Sequence, residues 1–308
     1  MASVRPEYEG VRVDAGRSNV LSGNALAVGS MLFWAAGFPA AEILLTEWHP
    51  IVLMTLRLGM ALSVLIPLWV LLDGPRAVVR ANWGRAVWIG MFGFGAGTNM
   101  LLFAQWYSDP VTVALIATIT PLFATLVEVA HRQRRITTRF VLGMIASMFG
   151  GAVAVGGNIS ADVGWGVLLA VLSGVCFAWA SHATVHALPN LSPIGRSAST
   201  FVGAAIFTFA IFVGAWMSDS IAVPDRISTT QFGLLAIYSI AAMALAQILF
   251  IASVGKLGVA LSSFHINIAP FYVMIMLIAL GGTWDWRAAI GAAIVGMGVL
   301  LSQSGRKA

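Results

Sequence analysis

The chain has 308 residues, of which 59% are apolar and only 9% are Asp, Glu, Lys or Arg; its mean hydropathy is +0.90. Soluble domains carry about 25% charge, so a water-facing globule of this length is excluded, and disorder is excluded because disordered chains are charge-rich and poor in apolar residues. One cysteine, Cys176, rules out an internal disulfide or a multi-cysteine metal site.

A membrane-crossing helix needs roughly 20 mostly apolar residues. Ten segments meet that measure in chain order: 23–45, 50–72, 86–106, 111–130, 140–156, 163–185, 194–217, 232–254, 258–280 and 287–303. The tail 1–22 is polar and does not read as a cleaved signal, because the apolar run after it exceeds the roughly 7–15 residues of a signal core. The expected class is an all-α polytopic membrane protein.

Span 1 carries Trp34 and Phe38, four apart and so on one face, with Glu42 near its end. Span 2 buries Arg57 about two turns in; a bare charge at that depth costs at least ~3 kcal/mol on insertion scales. Either it pairs with Glu42, or its forked guanidinium takes a substrate carboxylate. Span 3 holds Asn99, Phe103 and Gln105, and span 4 holds Thr118 with Pro121 halfway along. Span 6 repeats the four-residue spacing with Phe177 and Ser181, span 8 holds Gln247, and span 9 holds Phe264, His265 and Asn267 with Pro270 at its middle.

Amides in lipid either hold helices together or face a wet cavity, and a histidine there either relays protons or stays neutral and hydrogen-bonded. Aromatic rings either pack or line a pocket, where they stack on a planar solute. Trp48, Trp83, Trp88, Trp106, Trp284 and Trp286 lie near span ends and are expected as interfacial anchors. The mid-span prolines remove a backbone donor and are expected as hinges.

Basic residues set the topology. With a cytoplasmic N-terminus, 14 of the 17 Lys and Arg fall on inside segments, Arg226 and Arg287 fall outside, and Arg57 lies within a span. Both termini are therefore expected in the cytoplasm, at the inner (plasma) membrane. Basic residues spread over several loops also remove nucleic acid from the list of partners.

A shift of 149 residues places Pro121 on Pro270, and Gly143 and Ser147 on Ala292 and Gly296. A shift of 143 to 144 brings Phe33 onto Phe177 and His49-Pro50 onto Ser192-Pro193. Two five-helix repeats are expected, 23–156 and 157–303, flanked by cytoplasmic tails 1–22 and 304–308. Five is odd, so the second repeat enters the membrane inverted, an architecture that puts a substrate site between the halves.

Trp34-x-x-x-Phe38, Arg57 after Pro50, Pro110-Val-Thr-Val-Ala-Leu before Pro121-Leu-Phe, Gly258 to Ser263 before Ala269-Pro270, and Gly291 to Leu301 together resemble the drug/metabolite transporter superfamily. Within it they resemble the ten-helix EamA-type branch and, more narrowly, the YddG-type aromatic amino acid exporters. The family's Gly-Glu pair after helices 4 and 9 is replaced by His131–Arg135 and Gly281-Gly282-Thr283, so no role for that acid carries over. The resemblance implies a secondary transporter, not an enzyme and without cofactor or metal, that exports small organic solutes by alternating access. Aromatic amino acids and related planar compounds lead as substrates; other amino acids or metabolites, or a non-transport receptor or scaffold, are the alternatives.

The cavity is expected to be lined by spans 1, 3, 4, 6, 8 and 9, with spans 5 and 10 peripheral. Its candidate lining is Trp34, Phe38, Asn99, Phe103, Thr118, Phe177, Ser181, Gln247, His265 and Asn267. Enzyme signatures such as His-Glu-x-x-His, Gly-x-Ser-x-Gly and the phosphate loop do not occur.

Overall fold

Two helices start with a capping side chain followed by proline. His49 Nδ1 accepts from the Ile51 amide at 3.3 Å and Ser192 Oγ from the Gly195 amide at 3.2 Å. Pro50 and Pro193 then occupy the first helical position, where a missing N–H costs nothing. The two starts lie 143 residues apart, which is the register found in the sequence. It also pairs Trp34 with Phe177, because 34 + 143 = 177; Phe33 instead points outward, 37% exposed.

The computed structural model describes residues 17–107, 116–155, 164–224, 226–279 and 283–304. Its principal helices are α1 (Asn19–Leu45), α2 (Pro50–Asp73), α3 (Trp83–Tyr107), α4 (Thr120–Ala130), α5 (Thr138–Ala154), α6 (Trp165–Ala187), α7 (Pro193–Met217), α8 (Thr229–Leu257), α9 (Val259–Met276) and α10 (Trp286–Gln303). Eight are long and apolar enough to cross a membrane, while α4 and α5 are shorter. Ten full spans were expected. The fourth falls short because a turn at 118–119 precedes α4, and the earlier part of that span, 111–115, lies outside the described residues, as do Pro110, Gly281 and Gly282. No strand occurs among the described residues.

Helices α5 and α10 meet backbone to backbone. A Cβ on Gly143 would lie 2.4 Å from the Gly298 carbonyl oxygen, and one on Gly150 would lie 2.7 Å from that of Gly291. The reverse contacts are equally tight, 2.4 Å from Gly291 to the Gly150 oxygen and 2.6 Å from Gly298 to the Gly143 oxygen. Such reciprocity is what a two-fold relation produces, with a register of 148 (291 − 143 and 298 − 150). The sequence pairing of Gly143 and Ser147 with Ala292 and Gly296 is therefore corrected, since Gly296 faces open space.

Both α3 and α8 contain a stretch of π-helix, Gly90–Gly95 and Ile237–Leu245, a widened turn that disturbs the regular hydrogen-bond ladder and is frequent at functional sites. The first receives α7, and a Cβ on Gly90 would sit 1.9 Å from the Thr200 oxygen. The second receives α2, through Arg57.

The prolines differ from expectation. Pro121 is the second residue of α4, and Pro270 directly follows a 3₁₀ segment, Phe264–Ile268, as the second residue of the helix Ala269–Ala279. Each sits in a first turn, where proline is tolerated, so the irregular backbone lies just before each proline. Asn267 Nδ2 joins the two breaks by donating to the Thr118 oxygen at 3.2 Å.

Outward, Trp165, Phe149, Ile290 and Leu300 are exposed, as a lipid-facing surface requires. Trp88, Trp106, Trp284 and Trp286 are exposed as well. Trp48 is corrected from anchor to core: it is 3% exposed and packs among Ala40, Leu44, Leu53 and Leu235. Trp83 is partly buried, its indole N–H donating to the Val78 oxygen at 2.8 Å.

Candidate functional site

A cavity with an open side lies at the centre of the bundle. Its walls come from α1, α3, the start of α4, α6, α8 and Ile266 of α9, as expected, and also from α2 (Met54, Arg57) and Phe201 of α7. No residue of α5 or α10 reaches it. The lining runs from the middle of α1, α3 and α6 toward the end of α1, the end of α3 and the start of α6, and takes in the first half of α2. The cavity therefore belongs to the end of the bundle where α1 meets α2 and α3 terminates.

Aromatic rings form two of its surfaces. Trp34 and Phe38 meet edge to face at 4.8 Å, four residues apart on the cavity side of α1, and Gly37 between them lets α8 approach: a Cβ there would lie 2.6 Å from that of Ala242. Opposite, Phe177 stands 5.2 Å from Phe250 and 6.1 Å from Phe94, and Phe94 stands 5.8 Å from Phe201. Edge-to-face and tilted pairs of this kind present both ring faces and edges to a planar solute.

Arg57 is the one charged residue among the described lining residues. The expected bridge to Glu42 does not form. Glu42 is exposed, and no ion pair among the described residues includes either group. Instead Arg57 Nε donates to the Tyr238 oxygen at 3.0 Å and Nη2 to the Ala242 oxygen at 3.4 Å. Its guanidinium carbon lies 3.6 Å from the centroid of the Tyr238 ring. Both carbonyls belong to the π-helical stretch of α8. Carbonyls and a ring face solvate the cation without neutralising it, and two of the five donors of a guanidinium are used.

Of the sequence candidates, Trp34, Phe38, Phe177 and Gln247 line the cavity, as does Gln105. Gln247 is 8% exposed, and its Nε2 has no hydrogen-bond partner. The others lie elsewhere, for physical reasons the structure makes plain. Asn99 donates to Thr208 Oγ1 at 2.7 Å and to the Gly95 oxygen at 2.8 Å, fastening α3 to α7. Phe103 packs near His49 and Tyr107. Thr118 and Asn267 are buried at the junction of the two helix breaks, where Asn267 also donates to the Ser147 oxygen at 3.1 Å. Ser181 and Phe264 are fully buried, and His265 is 5% exposed within the 3₁₀ segment; none of the three lines the cavity.

The opposite end is closed. Glu128, 3% exposed at the end of α4, is paired with Arg134 and accepts from the Ala260 amide at 3.0 Å. Arg134 also reaches the Leu257 oxygen at 3.5 Å and covers the Phe140 ring at 4.6 Å. Gly258 turns the chain from α8 into α9 with φ +85°, and any Cβ there would strike Glu128. Beside this knot His182 bonds Gln133 at 2.6 Å, and its ring lies 4.4 Å from that of His131 and 4.2 Å from that of His186. An acid near a span end gave the only sequence signal for the ion pair, and its partner six residues on was hidden in a basic loop.

A multi-pass helical bundle with a central cavity open at one end and sealed at the other by buried polar contacts is the form of a membrane transporter. The EamA-like transporter family matches the chain twice, over residues 21–156 and 164–303. The chain belongs to that family. It is 23% identical over 282 residues to a protein of Bacillus subtilis (strain 168) named uncharacterized transporter YyaM, covering 89% of this chain and 91% of that protein. A crystal structure at 18% identity matches its fold with a TM-score of 0.77, over 92% of this chain and 98% of the other.

Proposed function

We propose that this protein is a secondary exporter of small organic solutes with an aromatic body and a carboxylate, aromatic amino acids and related planar aromatic compounds, working by alternating access. The observation that carries the reading is a central cavity in which Trp34, Phe38 and Phe177 face the same space as Arg57, the one charged residue among the described lining residues. Stacking would hold the ring, and the free part of the guanidinium would hold the carboxylate. The resemblance to YddG-type exporters points the same way.

The two halves act as inverted repeats, with ten crossings and both termini cytoplasmic. The doubled family match and the reciprocal α5–α10 contact support the repeats; the basic-residue bias supports the orientation, which places the cavity on the outer side. The helix breaks at 118–119 and 264–268, each closed by a proline, serve as hinges.

Uptake of radiolabelled Phe and Trp into proteoliposomes, with no imposed ion gradient, tests the function. The expected result is saturable uptake that unlabelled aromatic amino acid blocks and protein-free liposomes lack. A flat time course for both substrates, with and without a pH gradient, would overturn the substrate assignment.

A further inference from the structure

The charge balance of the cavity narrows the substrate further, on the assumption that the cavity just described is the transport site. Among the described lining residues there is one full charge, that of Arg57, and no carboxylate. The nearest sequence candidate for a counter-ion, Glu42, is exposed and unpaired with it. The groups that do touch Arg57, two backbone carbonyls and the face of Tyr238, leave its charge formally uncancelled.

The other polar lining groups tell the same story. The hydroxyls of Ser30, Thr98 and Thr120 already donate to the carbonyls of Ala246, Phe94 and Ala117 at 2.7, 2.6 and 2.7 Å. The amides that line the cavity are Gln105 and Gln247, and Gln247 Nε2 is a buried donor without a partner. It lies five residues beyond Ala242, one of the carbonyls that hold Arg57, and both residues line the cavity.

From this pattern we infer that the cavity selects a net anion: an aromatic monocarboxylate without an α-ammonium group binds better than the corresponding amino acid. A carboxylate arriving alone neutralises Arg57 and takes the spare donor of Gln247. A zwitterion brings the same carboxylate, but it also brings an ammonium into a cavity whose fixed charge is already positive and whose described lining offers no acid to receive it. In a low-dielectric site like charges repel far more strongly than in water, and an unpaired buried ammonium loses its hydration without replacement.

Three probes of nearly equal shape separate the terms: 3-phenylpropionate is the anion, L-phenylalanine the zwitterion and 2-phenylethylamine the cation. Titration calorimetry on the purified full-length protein is expected to rank them in that order, with the anion at least about tenfold tighter than the zwitterion, as one buried charged group left without a partner implies, and no heat from the amine. Arg57→Lys, which keeps the charge and loses the fork, is expected to weaken the anion and preserve the order, whereas Arg57→Gln is expected to erase it. If Arg57→Gln does not fold, the wild-type ranking and Arg57→Lys still decide. Phenylalanine binding as tightly as 3-phenylpropionate would overturn the selection for an anion while leaving the aromatic transporter reading intact. Silence from all three probes would overturn both.

Discussion

The two ends of the bundle solve the problem of charge in a membrane in opposite ways. At the closed end buried Glu128 is paired with a partly buried Arg134, and each has a further backbone partner, the Ala260 amide and the Leu257 oxygen. At the open end Arg57 is buried with carbonyls and a tyrosine ring but with no acid. A satisfied ion pair holds a structure in place, whereas an unneutralised cation beside a cavity is where the proposed carboxylate would bind. The difference is one of partners: intramembrane charge by itself does not mark a binding site, and Arg57 is proposed as one because its charge is left unmatched.

Breaking the closed end should have the largest effect. Glu128→Ala leaves Arg134 without its partner, and removing one member of a buried pair costs roughly 3–5 kcal/mol; the thermal midpoint in detergent should fall steeply, and less so in Glu128→Ala/Arg134→Ala. At the open end, Arg57→Gln should lower apparent substrate affinity by about tenfold to a hundredfold, read as the shift in half-saturation for proteoliposome uptake. Gly150→Ala pushes a methyl into the Gly291 carbonyl at 2.7 Å. Overpacking costs about 1–3 kcal/mol and should appear as lost stability with the half-saturation unchanged, because α5 does not touch the cavity.

Trp34→Ala should do the reverse, since Trp34 is only partly buried: affinity for aromatic solutes falls by roughly the 0.5–1.5 kcal/mol of an aromatic pair, while the thermal midpoint moves little. The smallest effect is expected at His49, between α1 and α2. Burial holds its imidazole below the usual range, and its Nδ1 must stay unprotonated to cap α2. The cap's contribution is present above the unfolded value of about 6.5 and is lost as pH falls below it. A thermal midpoint that declines over that window in the wild type, and less in His49→Asn, would show this.

Much of the architecture was legible because it rests on composition and spacing. Eight of the ten apolar segments form helices long enough to cross a membrane; the Pro50 and Pro193 helix starts and the four-residue step from Trp34 to Phe38 also survive folding, since helix periodicity fixes which residues share a face. Asn99 and Asn267 misled for one physical reason. In lipid a polar side chain must find a partner, and neighbouring helices supply one as readily as a cavity does. Asn99 found Thr208 and Asn267 found Thr118 and Ser147, contacts between residues more than a hundred positions apart that no local pattern announces. The π-helical stretches of α3 and α8 were equally silent, yet the second supplies the carbonyls that position Arg57.

Alternating access requires the two ends to exchange roles. Single cysteines introduced by Ala41→Cys in the cavity and Ala260→Cys at the closed end, each in a Cys176→Ser background, report this when labelled with a membrane-impermeant maleimide from either side of oriented vesicles. The account predicts that Ala41→Cys labels from one face only and that Ala260→Cys labels from the other face only. It further predicts that added substrate shifts the two rates in opposite directions. Labelling of both positions from the same face, or substrate that changes neither rate, would contradict it.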